Sequence, residues 1–338
     1  MSDTTARPPT INPRPLIRLE PVDAVQITTL MDNVSDMTLA PQGPAKRTSL
    51  GSGARVRSTF FEAGEVPDPL LAEHGFSALL TIRKGERERT ILFDTGVTAN
   101  GVTENMRRLS LTPKDVEAIV LSHGHFDHTA GMEGLVRDLG RGNLPVYIHP
   151  EFWSRRRIAF PGGEPNEIPT TSKSALRGAG FEIVEERQPS FLLDRSVLVT
   201  GEVDRTTAFE QGWPVHQRWQ DGSWQPDPLI LDDQAMVIHV RDKGLVVLTG
   251  CGHAGIINIV RYAQKLTGVT PIYAALGGFH LGGPSFEPVI PAVIDSFREM
   301  DPTVIVPAHC TGWRAVHALA AALPDACIQN AVGTRFEL

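Results

Sequence analysis

Val25-Gln26-Ile27-Thr28-Thr29-Leu30-Met31 places apolar side chains at nearly alternate positions, the period of a strand with two unlike faces. Phe76-Ser77-Ala78-Leu79-Leu80-Thr81-Ile82 and Thr90-Ile91-Leu92-Phe93 flank Lys84-Gly85-Glu86, a turn-forming stretch, and together predict a hairpin that ends at Asp94-Thr95-Gly96. Beyond it the period changes back and forth. Val102 to Leu109 reads as a helix, Val116 to Leu121 as a strand, Met132 to Leu139 as a helix and Pro145 to Ile148 as a strand. The second half repeats the style. Strands are predicted at Ala235 to Val240 and Leu245 to Thr249, then a helix from Gly255 to Leu266. Pro271 to Leu276, Pro291 to Met300, Val304 to Val306 and Trp313 to Leu323 continue as strand, helix, strand, helix. Sheets interleaved with helices define the α/β class, in its α+β variant if the sheets are mixed.

Three stretches escape this alternation. Residues 1 to about 20 are proline-rich without apolar periodicity and predict a disordered arm. Residues 41 to about 58 read as a long loop. Residues 151 to about 232 predict an insertion over the mouth of the main domain, which spans 21–338. Trp213, Trp219 and Trp224 near its end wall either a substrate pocket or a local core.

Composition narrows the class without naming a function. A 41% hydrophobic, 21% charged chain of 338 residues can bury a large core. The net charge of -7 opposes nucleic-acid binding, which favours a basic stripe. Three scattered cysteines do not form a disulfide framework and point to a reducing compartment. The amino terminus lacks the apolar core of a signal peptide, and no apolar run has bilayer-spanning length, so the expectation is a cytoplasmic protein without a membrane partner.

The chemistry concentrates in Leu121-Ser122-His123-Gly124-His125-Phe126-Asp127-His128, directly after a strand. Imidazole and carboxylate suit zinc and its neighbours. In an extended loop His123 and His125 point to one side, while Asp127 and His128 fall where a helix begins and can face a second ion. Three more histidines follow strand ends beside glycines: His253, His280 and His309. Open α/β sheets bind ligands beyond the carboxyl ends of their strands, so these loops can converge. Lone histidines (His149, His216, His239 and His317) read as ordinary polar groups. Cys251 reads as a thiolate between two ions or as a small buried residue, with burial slightly favoured.

His123-x-His125-x-Asp127-His128, after Asp94-Thr95-Gly96 and before His253 and His309, resembles the metallo-β-lactamase superfamily. Thr28 to Asn33, Ala72 to Ser77, Thr200 to Val203, Asp232 to Ala235, Gly250 to Gly255, Gly278 to Leu281 and His309 to Gly312 resemble its dihydropterin-linked ribofuranosylaminobenzene 5'-phosphate synthase-like branch. The resemblance implies an αββα sandwich with a binuclear metal site at its edge. It implies His123, His125 and His253 on one ion, and Asp127, His128 and His309 on the other. Zinc is expected, with iron and manganese as alternatives. Many members carry a bridging aspartate in a Gly-Asp turn; here the turn is Gly250-Cys251-Gly252-His253, which leaves Cys251, His253 or water as the bridge.

The expected function is metal-dependent hydrolysis of an ester-type bond, phosphoester or carboxylic ester or lactone, in a small and sometimes anionic substrate. A hydroxide held at the binuclear site would attack, and Asp127 would orient it. His280 or His74 would protonate the leaving group. His74, Asn33, Thr311 and Trp213 are the substrate-side candidates, and the Thr311-Gly312 helix start or Arg155 to Arg157 would take an anionic group. The alternatives are synthase-type group transfer onto a pterin, and a metal-containing ligand-binding or effector protein with little turnover.

Overall fold

Strands buried on both faces carry near-continuous apolar runs, and this chain has many. The computed structural model describes residues 16–48, 54–140 and 142–338. An eight-stranded mixed sheet runs in the order Glu182–Glu185, Pro145–Ile148, Ala118–Val120, Arg87–Phe93, Ser77–Lys84, Ala24–Met31, Arg335–Glu337, Ala45–Lys46. A six-stranded sheet runs Ser190–Leu192, Val197–Val199, Met236–Val240, Gly244–Thr249, Ile272–Gly278, Val304–Ala308. Val25, Ile27, Leu80, Ile91 and Phe93 of the first sheet pack against Met236, Ile238, Val246, Leu248 and Val306 of the second. The alternate residues face outward. Leu79, Leu92 and Ile119 meet the helices Gly101–Arg108, Met132–Leu139 and Lys173–Gly178, while Val237, Leu245 and Val247 meet Ile256–Thr267, Ile290–Met300 and Trp313–Ala322. Helix, sheet, sheet, helix is the αββα sandwich expected from the sequence.

Strict alternation breaks once where it matters. Val25 and Ile27 face the inner core, yet Met31, of the same parity, joins Leu30 in the outer one. The pairing with Ser77–Lys84 slips between Thr29 and Met31, and this bulge re-aims Met31 and the Asp32-Asn33 segment that follows.

Two boundaries move. Residues 1–15 of the expected arm lie outside the described residues, but its last residues are ordered: Leu19 is buried and Ile17 N–H donates to Leu266 O at 2.7 Å. The insertion is also not continuous. Lys173–Gly178, Glu182–Glu185, Ser190–Leu192 and Val197–Val199 belong to the sandwich itself. What stands apart is a four-stranded antiparallel sheet, Asn166–Ile168, Arg156–Ile158, His216–Gln220 and Ser223–Pro226. Within the expected loop, Ala45–Lys46 pairs with Arg335–Glu337 and Arg55–Arg57 with Glu65–Pro67; residues 49–53 lie outside the described set. No helix among the described residues is long and apolar enough to cross a membrane.

Candidate metal centre

The strand Ala118–Val120 delivers His123 to His128 to the sandwich edge, and the second sheet's strand ends deliver Cys251, His253, His280 and His309 opposite them. Donor atoms of Asp127, His128, Cys251 and His309 lie within 4.8 Å of one another, as do those of His123, Cys251 and His253. Cys251 belongs to both groups. Its sulfur lies 3.2 Å from His128 Nε2, and Asp127 Oδ2 lies 3.2 Å from His309 Nε2 and 3.6 Å from His128 Nε2. The predicted convergence of strand ends is therefore what the geometry gives.

Buried carboxylates hold these rings in place. Asp94 accepts the Ser122 N–H at 2.7 Å and the Ser122 hydroxyl at 2.7 Å, and lies 2.7 Å from His128 Nδ1. Asp94 has φ 54°, as His280 has 44° and His309 48°, all in the left-handed region. Such backbone costs of order 1–3 kcal/mol per residue and persists only where its surroundings enforce it. At His309 the enforcement is visible: its N–H donates to Asp32 Oδ1 at 2.8 Å, and its carbonyl accepts from Asn33 Nδ2 at 2.9 Å. Gly250 must be glycine for a related reason. A Cβ there would stand 2.1 Å from Ser122 Oγ and 2.6 Å from Asp94 Oδ2.

The donor set fits divalent cations. His123 Nε2, both ring nitrogens of His253 and Nδ1 of His309 are buried with no hydrogen-bond partner, a costly arrangement for groups whose lone pairs a cation would satisfy. Burial, reinforced by neighbouring imidazoles, holds His123 and His253 well below their usual range; burial, with His216 and Arg156, does the same for His125. All three are thus neutral, the form that ligates. Burial opposes charge on Asp127 too, but His128 and His309 outweigh it and hold the carboxyl well below the carboxylate range. His128 is pushed the other way, up to about 9, because Asp127 and Asp94 outweigh its burial. Burial keeps the Cys251 thiol well above its usual value. A cation held through His128 Nε2 and Cys251 Sγ would displace a proton from each.

A sequence model of the metallo-beta-lactamase superfamily matches residues 74–264, more than half of the chain. The chain belongs to the metallo-beta-lactamase superfamily. A 7,8-dihydropterin-6-methyl-4-(beta-D-ribofuranosyl)-aminobenzene-5'-phosphate synthase of Methanocaldococcus jannaschii is 29% identical over 255 residues, 73% of this chain and 84% of that relative. A second protein of that organism, described only as uncharacterized, is 34% identical over 250 residues, 73% of this chain and 88% of the relative. The crystal structure of a metal-dependent hydrolase of the beta-lactamase superfamily superposes with a TM-score of 0.67 at 22% identity, covering 93% of this chain and 99% of that one. The superfamily commonly binds divalent metals, and among the described residues the groups above are candidate ligands.

Other expected site residues fall in mixed places. His125 is in neither donor group; its ring stands 4.5 Å from His123 and 5.0 Å from His253, and its Nε2 lies 3.0 Å from His216 Nε2. His280 lies 4.1 Å ring to ring from His253 and forms a further donor group with Cys251 and Cys310. His74 is exposed beside His309, with ring centroids 5.0 Å apart. Trp213 stacks near-parallel to His253 at 6.3 Å. Asn33 and Thr311, expected on the substrate side, both make hydrogen bonds within the protein. Asn33 is spent on the His309 carbonyl, and the buried Thr311 hydroxyl donates to Ala308 O at 2.7 Å and accepts from Phe279 N–H at 3.0 Å.

The arginines are likewise engaged. Arg156 is buried against Asp232 and Asp227, Arg155 pairs with Glu167, and Arg157 donates to Gln217. Trp219 and Trp224 pack on each other, with Arg155 over both and Arg157 over Trp224, as a partly exposed cluster on the small sheet rather than a buried core. His216, read from the sequence as an ordinary polar group, is buried with both ring nitrogens partnered, Nδ1 by the Asp227 carbonyl and Nε2 by His125. No local signal marks it, because its partner lies 91 positions away. Asp32 and Asp94 were visible as parts of motifs but not as the groups that hold His309 and His128.

Proposed function

We propose that the chain is a metal-dependent hydrolase that opens an ester-type bond of a small molecule at a two-cation centre. The observation that carries the reading is the paired donor set. These two groups share Cys251, which also joins His280 and Cys310 in a third, and in the group with Asp127 that residue, with 14% of its side chain accessible, is the member open to solvent. On this reading His123, Cys251 and His253, with His125 beside them, would hold one cation. Asp127, His128, Cys251 and His309 would hold the other. Nitrogen, carboxylate and sulfur donors together favour zinc over the harder cations. Such a pair supplies Lewis acidity toward the substrate oxygen and acidifies water.

The chain's own residues do the rest. Asp127 is too weak a base to keep a proton, so it orients the attacking water by accepting its hydrogen bond. His280, part-exposed with Nδ1 unpartnered, stands beside His253 and donates to the leaving oxygen. His74, across the site, lies against His309 at the rim.

A second reading is group transfer of the kind named for the relative that is 29% identical, with Trp213 stacking a planar ring. Incubation of metal-loaded protein with phosphodiester, lactone, carboxylic ester and pterin panels separates the two. Release of a free acid from a single organic substrate supports hydrolysis. Product formed only when a pterin and a second substrate are both present would replace that reading with group transfer.

A further inference from the structure

Beside the metal centre lies a cavity of about 250 Å³ that has His253 and His280 in its wall, with Glu210, Gln211 and Ser285 as its other polar side chains. Phe209, Phe279, Leu281, Phe286 and Val289 supply apolar surface, with Pro214 at an exposed edge. One charged side chain lines it, and that charge is already used. Glu210 accepts the N–H groups of Ile257 and Asn258 at 2.9 and 2.8 Å, capping the helix Ile256–Thr267, and the Thr207 hydroxyl at 3.2 Å. Gln211 turns away to donate to Ala208 O at 2.7 Å. Arg205, whose charge acts on Glu210, does not line the space; it donates to the carbonyls of His253, Ala254 and Leu229.

We infer that this cavity receives an uncharged, apolar arm of the substrate, and that the bond opened at the centre is a carboxylic ester, open or cyclic, rather than a phosphoester with an anionic arm. The inference rests on the hydrolase reading above. Beyond His253 and His280, an anionic arm would meet the Glu210 carboxylate and no lysine or arginine side chain among the lining residues, and burying a charge without a partner is costly. Hydrocarbon loses nothing there. At interior packing density the volume takes roughly eight to ten carbon atoms. Each methylene buried is worth about 0.8 kcal/mol, or roughly fourfold in affinity. Trp213 stands 5.2 Å from His280 and 6.1 Å from Phe286, close enough for its fluorescence to report filling.

The test uses two series on the metal-loaded protein. Para-nitrophenyl esters from acetate to dodecanoate give kcat/KM. Straight-chain alcohols from butanol to dodecanol give binding, read from the fluorescence component that Trp213→Phe removes. Both should rise roughly fourfold per carbon and level off near eight to ten carbons. Val289→Phe should move the break to shorter chains and Phe286→Ala to longer ones, opposite shifts that misfolding cannot produce. A length-independent alcohol series, or a break that neither substitution moves, overturns the cavity assignment. Alcohols that bind by length while every ester stays intact support the cavity and sink the hydrolase reading alone. Esters cleaved without any length dependence do the reverse.

Discussion

Replacing His216 by phenylalanine tests whether the small sheet takes part in the centre or merely covers it. His216 Nδ1 lies 3.0 Å from the Asp227 carbonyl, which can only accept, so that nitrogen carries the proton. In the neutral ring Nε2 is then bare and accepts from His125 Nε2–H across 3.0 Å. His125 is left with a bare Nδ1, on a ring whose centroid stands 4.5 Å from that of His123 and 5.0 Å from that of His253. Both rings are buried, so the phenylalanine would strand a donor at a cost of about 1–3 kcal/mol. That range brackets the 10–100-fold loss of metal affinity typical when the partner of a ligating histidine is removed. Competition against a calibrated chelator should show a loss of that size for one cation, with the second less affected. His216→Gln, which retains an acceptor, should recover much of it. Nitrogen-15 NMR of the loaded wild type should find the His125 proton on Nε2. An affinity unchanged within about twofold in His216→Phe, or a proton on Nδ1 of His125, would refute the relay.

Asp127→Asn should lower the cation content by one per chain in elemental analysis and cut ester turnover by at least about 100-fold; retained turnover removes Asp127 from the chemistry. Cys251→Ser should abolish the sulfur-to-metal charge-transfer absorption of the cobalt-loaded protein and weaken both cations, since Cys251 belongs to both groups; an unchanged spectrum assigns Cys251 to packing alone. Asp233, its Oδ1 buried without a partner, is pushed by burial from 3.8 to about 7. The folded protein therefore holds a proton that the unfolded chain releases between those values, and this contribution, at most on the order of 4 kcal/mol, is full below pH 3.8 and lost by about pH 7. Thermal unfolding of metal-free Asp233→Asn should show a flatter pH dependence across that window than the wild type; parallel curves would contradict the assignment.

The sandwich was legible where strands are long and both faces buried. Val246 and Leu248 face one layer while Leu245 and Val247 face the other, and an apolar run of that length has few alternatives. Ser190–Leu192 and Val197–Val199 are three residues each, too short to show a period, so they were absorbed into a presumed insertion. The bulge at Thr29–Met31 left no mark in composition, yet it sets the path of Asp32 and Asn33 beneath His309. At the centre, His123 to His128 announced themselves by density, and His253 and His309 by glycine-flanked strand ends. The hydrogen bonds of Asn33 and Thr311 to backbone were not legible, because a polar side chain near a site satisfies backbone as readily as it meets a ligand. His216 read as an ordinary polar group because its partner His125 is distant in sequence.

Because one half of the donor set rides on the eight-stranded layer and the other on the six-stranded layer, a bound ion would rivet the two together. Neither layer alone could retain it, so occupancy and intactness become one equilibrium. At a free ion concentration a thousand times the dissociation constant, that coupling is worth about 4 kcal/mol, a large share of an ordinary protein's margin. Resistance to protease would then gauge ion supply, and starvation for the ion would shorten the protein's lifetime as well as silence it.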